Sequence, residues 1–145
     1  MRFFELEYEI KTDEGFSAEP YQDTLKVWTI GYGFTSIAGN KVAENTAAIS
    51  VSTADFFLQA FLYQALSDAA KFFPPIFTLS EERQRVLVKM AYQMGWNRLS
   101  KFKRFCAALH AKDYVKAASE MRNSLWYKQT PVRAERYAQA MEHEI

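Results

Sequence analysis

Glu14 and Asp23 stand nine residues apart, and Thr29 follows six residues after the aspartate. Two carboxyl groups in unlike surroundings suit a reaction in which one group gives a proton and the other acts on the far side of a carbon, as in hydrolysis of a glycosidic bond. The surroundings here do differ. Glu14 ends an apolar-periodic stretch and precedes Gly15, which places it at a helix-to-loop junction where backbone packing can hold it. Asp23 lies in Pro20-Tyr21-Gln22-Asp23-Thr24-Leu25, a turn-like stretch in which an aspartate can bond the backbone two residues on and stay ionised. Acids near helix ends more commonly cap helices or face solvent, so the pair alone leaves both roles open.

The elements that must position these residues follow from local pattern. Apolar side chains at 3, 4, 6, 8 and 10 predict a helix over about 2–11. The aromatic and β-branched run from Val27 to Phe34, punctuated by Gly31 and Gly33, predicts a short strand or hairpin and one small sheet. After a polar loop through Gly39-Asn40, Ser52-Thr53-Ala54-Asp55 has capping-box spacing before an apolar helix to about Phe73, which Pro74-Pro75 must stop. Thr78-Leu79-Ser80-Glu81 predicts a second capped helix closing at Gly95. Amphipathic segments follow near 101–111 and 113–124, and Thr130-Pro131 opens a last helix. Phe102 and Trp126 are assigned to the core, with Gln93 bonding the Trp126 indole. The fold class expected is α+β, mostly helical.

Composition bounds the function. Half of the 145 residues are apolar, and neither repeats nor low-complexity blocks occur, as expected of a globular protein. Glu5, Glu7 and Glu9 interrupt the first ten residues, which therefore lack the features of a signal peptide, and no apolar run reaches membrane-spanning length. Cys106, the single cysteine, reads as core filler. Neither His110 nor His143 has companions at metal-ligand spacing, so neither metal nor cofactor is expected. The net charge of +1 hides an asymmetry: residues 1–80 hold five Lys/Arg against ten Asp/Glu, and residues 81–145 hold thirteen against seven. A basic face toward a polyanion would suit that distribution, as would a plain solvated surface. The cations are scattered over several helices, with only Lys101, Lys103 and Arg104 close together, which argues against a nucleic-acid-binding module.

Three blocks of sequence go further. Glu14-Gly15, Tyr21-Gln22-Asp23-Thr24 and Trp28-Thr29-Ile30-Gly31-Tyr32-Gly33 form the first; Gln93-Met94-Gly95 with Phe102 the second; Trp126-Tyr127-Lys128-Gln129-Thr130-Pro131 through Arg136 the third. In order and spacing the chain resembles the phage lysozymes, muramidases of the T-even phage type. The resemblance implies two lobes joined by a long helix: a small sheet lobe over about 13–55, a linking helix over about 53–73, and a helical lobe over about 78–145 with helix 2–11 packed on it. It implies Glu14 as general acid and Asp23, helped by Thr29, as the group that activates water for inverting hydrolysis. Tyr92 and Thr35 would contact substrate. Arg133 would pair with the acid, and Arg136 with Asp13. The expected partner is bacterial peptidoglycan, engaged by a monomer without stable membrane insertion. The expected location is the host cytoplasm before release to the cell wall, with carriage on a virion or secretion as the alternative. A catalytically silent protein of the same fold, binding peptidoglycan or serving a virion, is the rival reading.

Departures from the family pattern are also visible. Phe34 stands where the family commonly has histidine, Phe105 and Glu120 where it has small polar substrate contacts, and the stretch from Gly33 to Tyr92 is shorter.

Overall fold

The helix that carries Glu14, α1 (Phe3–Glu14), ends because Gly15 takes a left-handed φ of 65° after its N–H has closed the last turn on the Lys11 carbonyl at 2.9 Å. The computed structural model describes residues 1–144. After Gly15, β1 (Ser17–Gln22) and β2 (Trp28–Gly31) pair antiparallel, Tyr21 opposite Thr29 and Gln22 opposite Trp28. Pro20, Tyr21 and Gln22 therefore lie in a strand, and the turn expected from Pro20 begins only at Asp23. A two-stranded ribbon has only edge strands, where a missing proline N–H costs little, and the register shifts between Ser17 and Tyr21.

A second ribbon, β3 (Ser36–Ile37) and β4 (Asn40–Lys41), replaces the expected polar loop, so the single predicted sheet becomes two. Its tip, Ala38-Gly39, has φ of 51° and 82°, the left-handed pair that a tight two-residue hairpin requires. Alanine is an unusual choice there, which is why the hairpin has no obvious sequence signal.

Helix α2 (Val51–Phe72) starts ahead of the predicted box. Ser50 Oγ accepts the Thr53 N–H at 3.1 Å, and Asp55 is bonded elsewhere. A short 3-10 turn (Ile76–Thr78) follows the two prolines, then α3 (Glu81–Leu99). Ser80, not Thr78, caps α3, accepting the Arg83 N–H at 3.3 Å, while the Thr78 hydroxyl donates to the Pro75 carbonyl. Gly95 breaks α3 with φ 74° and ψ 169°, where the sequence predicts closure, and one further turn follows. Then come α4 (Lys103–His110), α5 (Tyr114–Arg122), α6 (Leu125–Gln129) and α7 (Pro131–His143). Thr130 precedes α7 without capping it, because its hydroxyl donates to the Trp126 carbonyl at 3.2 Å.

The architecture is thus α+β and mostly helical. It divides into two compact units, one of residues 3–62 and the other of residues 63 onward with Met1 and Arg2, the boundary falling inside α2. In the first, Leu6, Ile10, Ile30, Phe34 and Leu58 are buried. In the second, α5 packs on α7, and Ala117 and Ala118 on the one and Ala134 and Ala138 on the other are buried. Trp126 is buried and donates its indole N–H to Gln93 Oε1 at 3.0 Å, as expected. Phe102 is only half-buried rather than part of the core.

A charge network ties α5, α6 and α7 together. Arg122 donates from Nε and Nη2 to both oxygens of Glu135, each at 2.9 Å, and from Nη1 to Glu142 at 3.3 Å. The Tyr127 hydroxyl and Gln139 amide also donate to Glu135, at 2.9 and 2.8 Å. Above all the Arg122 guanidinium draws the Glu135 carboxyl down from its ordinary 4.5 to about 2. A depressed carboxyl stabilises the fold above its unfolded pKa and loses that contribution as pH falls through the folded value. Arg122→Ala is therefore expected to cost about 1 kcal/mol at pH 7, allowing for partial exposure of the pair. Urea midpoints of wild type and variant should converge as pH falls from 4.5 toward 2; a deficit independent of pH would show that the loss is one of packing.

Candidate active site

Glu14 is the last residue of α1 and half-buried, and its carboxylate rests on the backbone of Gly33. A Cβ at position 33 would lie 2.7 Å from the Glu14 Cδ, so a larger residue would displace the carboxylate, and the φ of 78° favours glycine there. Gly31, with φ 66°, is equally constrained, since a Cβ would meet the Phe34 ring at 2.6 Å. Reciprocal bonds between Ile30 and Phe34, at 2.9 and 2.8 Å, pinch Gly31-Tyr32-Gly33 into a closed turn. Phe34 is buried, edge-on to Phe61 with centroids 4.9 Å apart and to Tyr32 at 6.1 Å. At this position, where the resemblance leads one to expect histidine, the turn is held by aromatic packing.

Asp23 is half-buried at the ribbon tip. Its Oδ1 accepts the N–H groups of Leu25 and Val27 at 2.8 and 2.9 Å, and its own N–H donates to the Val27 carbonyl at 3.0 Å. The side chain thus builds the loop that displays it, leaving Oδ2 without a hydrogen-bond partner among the described residues. Thr29 lies on β2 opposite Tyr21, and by strand alternation its side chain shares a face with Asp23. It is buried, and its hydroxyl donates to the Val27 carbonyl at 2.9 Å, so the oxygen can serve only as an acceptor for a further group.

A polar network joins α1, α2 and the glycine turn. Lys11 Nζ lies 3.1 Å from Asp55 Oδ1 and 3.3 Å from Glu7 Oε1. The Tyr32 hydroxyl donates to the same Asp55 oxygen at 2.8 Å, and Gln59 Nε2 donates to Glu7 Oε2 at 2.7 Å. Burial pushes the Asp55 carboxyl up, but the Tyr32 phenol and Lys11 ammonium outweigh it and hold it below its ordinary range. For Lys11, burial is outweighed by Asp55 and Glu7, and its pKa rises. Burial and the Asp55 bond together raise the Tyr32 phenol. Sequence pattern missed this network because Asp55 also fits a capping box, although Glu7 and Lys11, one turn apart on α1, offered a signal.

The remaining candidates are placed as follows. Asp13 is half-buried on α1, and Thr35 is exposed just before β3. Tyr92, on α3, and Arg133, on α7, are half-buried and belong to the other compact unit, as does exposed Arg136. In that unit a cavity of about 520 Å³ is lined by Phe102 and Trp126 and rimmed by Arg98, Lys101, Lys103 and Arg104. Phe105, 1% exposed, and half-buried Glu120 line the same cavity. Cys106 is half-buried rather than core. Its thiol, pushed up by burial, donates to the Phe72 carbonyl at 3.4 Å, unlike an activated nucleophile. Among the described residues no three His, Cys, Asp or Glu side chains are grouped to hold a metal ion, and no helix is long and apolar enough to cross a membrane.

Comparison with known proteins places these features in context. The phage lysozyme family pattern matches residues 11–139. Probable T4-type lysozyme 1 of Dictyostelium discoideum is 31% identical, over 92% of this chain and 91% of that protein. Probable T4-type lysozyme 2 of the same organism is 27% identical over the same shares. The pre-baseplate central spike protein Gp5 of Enterobacteria phage T4 is 29% identical over 88% of this chain, which spans only 26% of that protein.

The seat of Glu14 is open to direct test. Gly33→Ala should cost about 1–3 kcal/mol, from strain at positive φ and from displacement of the carboxylate. In a Glu14→Ala background the same substitution should cost less, because nothing then occupies the space the new methyl needs. Thermal melts of the four proteins measure the difference; equal penalties in both backgrounds would mean that the carboxylate does not rest on Gly33.

Proposed function

Because the chain belongs to the phage lysozyme family, we propose that it hydrolyses the β-1,4 bond between N-acetylmuramic acid and N-acetylglucosamine in bacterial peptidoglycan. The observation that carries this proposal is the placement of Glu14 at the end of α1 with its carboxylate beside Gly33, within the compact unit that also holds Asp23 and Thr29. In the proposed reaction Glu14 gives its proton to the glycosidic oxygen as the C1–O bond breaks. Water then adds to C1 from the opposite face, passing its proton to Asp23. Asp23 Oδ2 is the oxygen left for that water, since Oδ1 is committed to the loop, and Thr29 Oγ1 can accept a second hydrogen bond from it. Inversion requires the two carboxyl groups to stand roughly 6.5–9.5 Å apart, with the water between them.

Substrate contact is assigned to Tyr92 and Thr35, and supporting roles to Arg133, Arg136 and Asp13, on the family resemblance. The likeness to a phage spike protein favours virion carriage as one route to the cell wall. It also favours the second reading, a silent lysozyme-fold part of a virion.

Turbidity of isolated peptidoglycan separates the two readings. Wild type should clear it. Glu14→Gln, near-isosteric but unable to give the proton, should lose about 10²–10⁴-fold in rate. Asp23→Asn keeps an oxygen for the Leu25 and Val27 N–H groups, so its expected large loss reports the missing charge and not a collapsed loop. If wild type binds the wall without clearing it, the chain is the silent form and the catalytic assignments fall.

A further inference from the structure

We propose that Asp55 and Tyr32 are positioning residues for Glu14, with Asp55 Oδ1 as the single acceptor shared by the helix that carries the acid and the turn on which it rests. The proposal builds on the reading of Glu14 as proton donor. Two separate pieces of backbone meet at the carboxylate: the end of α1, which carries it, and the Gly31-Tyr32-Gly33 turn, which it lies against. The contact is close, since a methyl group at position 33 would meet the carboxylate. A shift of α1 against the turn would therefore change where the carboxylate lies relative to Gly33.

One oxygen atom bonds to both pieces. Lys11, three residues before Glu14 and so on the same face of α1, reaches Asp55 Oδ1 at 3.1 Å. Tyr32, bonded directly to Gly33 in the chain, reaches the same atom at 2.8 Å. Tyr32 is 5% exposed, its ring 5.5 Å from Phe16 and 6.1 Å from Phe34, with the Lys11 ammonium 5.5 Å from its centroid. Both bonds to Asp55 involve a charged group and lie in partly buried surroundings, where such bonds are stronger than neutral exposed ones. The docking of α1 on α2 has a second link through Glu7 and Gln59, so loss of Asp55 should loosen the seat of Glu14 without detaching the helix.

Tyr32→Phe removes one hydroxyl and keeps the aromatic packing, and Asp55→Ala removes the shared acceptor. With peptidoglycan as substrate, Tyr32→Phe should lower kcat roughly tenfold, and Asp55→Ala more, with KM nearly unchanged, because misplacement of a catalytic group by less than an ångström is costly. The double variant should be no slower than Asp55→Ala, since Tyr32 acts through Asp55. Asp55→Asn, which restores an oxygen, should recover part of the loss. Tyr8→Phe, an exposed phenol on the same helix, should match wild type. Independently of activity, the ¹³C titration of the Glu14 carboxyl should move in Tyr32→Phe and stay in place in Tyr8→Phe. Full kcat with an unmoved titration in Tyr32→Phe, or strictly additive losses in the double variant, would overturn the proposal. If wild type proves unable to hydrolyse peptidoglycan, the proposed reaction fails, while the titration still decides whether Tyr32 positions Glu14.

Discussion

A carboxylate lying beside a backbone that has no Cβ is the contact on which the proposed site in residues 3–62 depends. For Glu14 to rest there, α1 must stop at residue 14, and Gly15 turns the chain away through the left-handed region. Position 33 must be glycine, and the turn must close tightly enough to hold that glycine in place, which the paired Ile30 and Phe34 backbones achieve. Phe34 then anchors the base of the turn on Phe61. An apolar anchor at that point does not depend on pH, as an ion pair would.

Polar interactions are used in the same economical way in both compact units. An isolated surface ion pair contributes little, because solvent screens it and side-chain entropy opposes it. Here charges have several partners each. Asp55 receives Tyr32 and Lys11, and Lys11 also meets Glu7. Glu135 receives Arg122 twice, Tyr127 and Gln139. Each hub joins three elements: α1, α2 and the glycine turn in one unit, and α5, α6 and α7 in the other. The hubs therefore specify how elements meet as much as how firmly.

Local pattern anticipated features whose cause is local. The helix stop at Gly15, the break at Gly95, the stop at Pro74-Pro75 and the indole bond to Gln93 are all legible in short windows. It failed where a side chain had two possible uses and a distant partner chose between them. Ser52 and Asp55 have capping-box spacing, yet Ser50 caps α2 and Asp55 goes to Tyr32 and Lys11. Thr130 has the type of an N-cap, yet its hydroxyl turns back to Trp126. Pro20 looks like a turn residue but sits in a ribbon whose strands are both edges, and Ala38 hides a hairpin tip that asparagine would have announced.

The sequence by itself determined the mostly helical α+β class and the likeness to the phage lysozymes, together with the candidate acid, aspartate and threonine. Composition, periodicity and three spaced blocks carry that information without any coordinates. Only the tertiary structure decided that Gly33 is the seat of the Glu14 carboxylate, that Asp23 spends one oxygen on its own loop, and that Asp55 serves two elements at once. These are contacts between residues up to 44 positions apart, from Lys11 to Asp55. Their energies depend on distances of a few ångströms that chain spacing does not encode. Residue types set which bonds are possible, and the packing of α1, the ribbon and α2 selects among them.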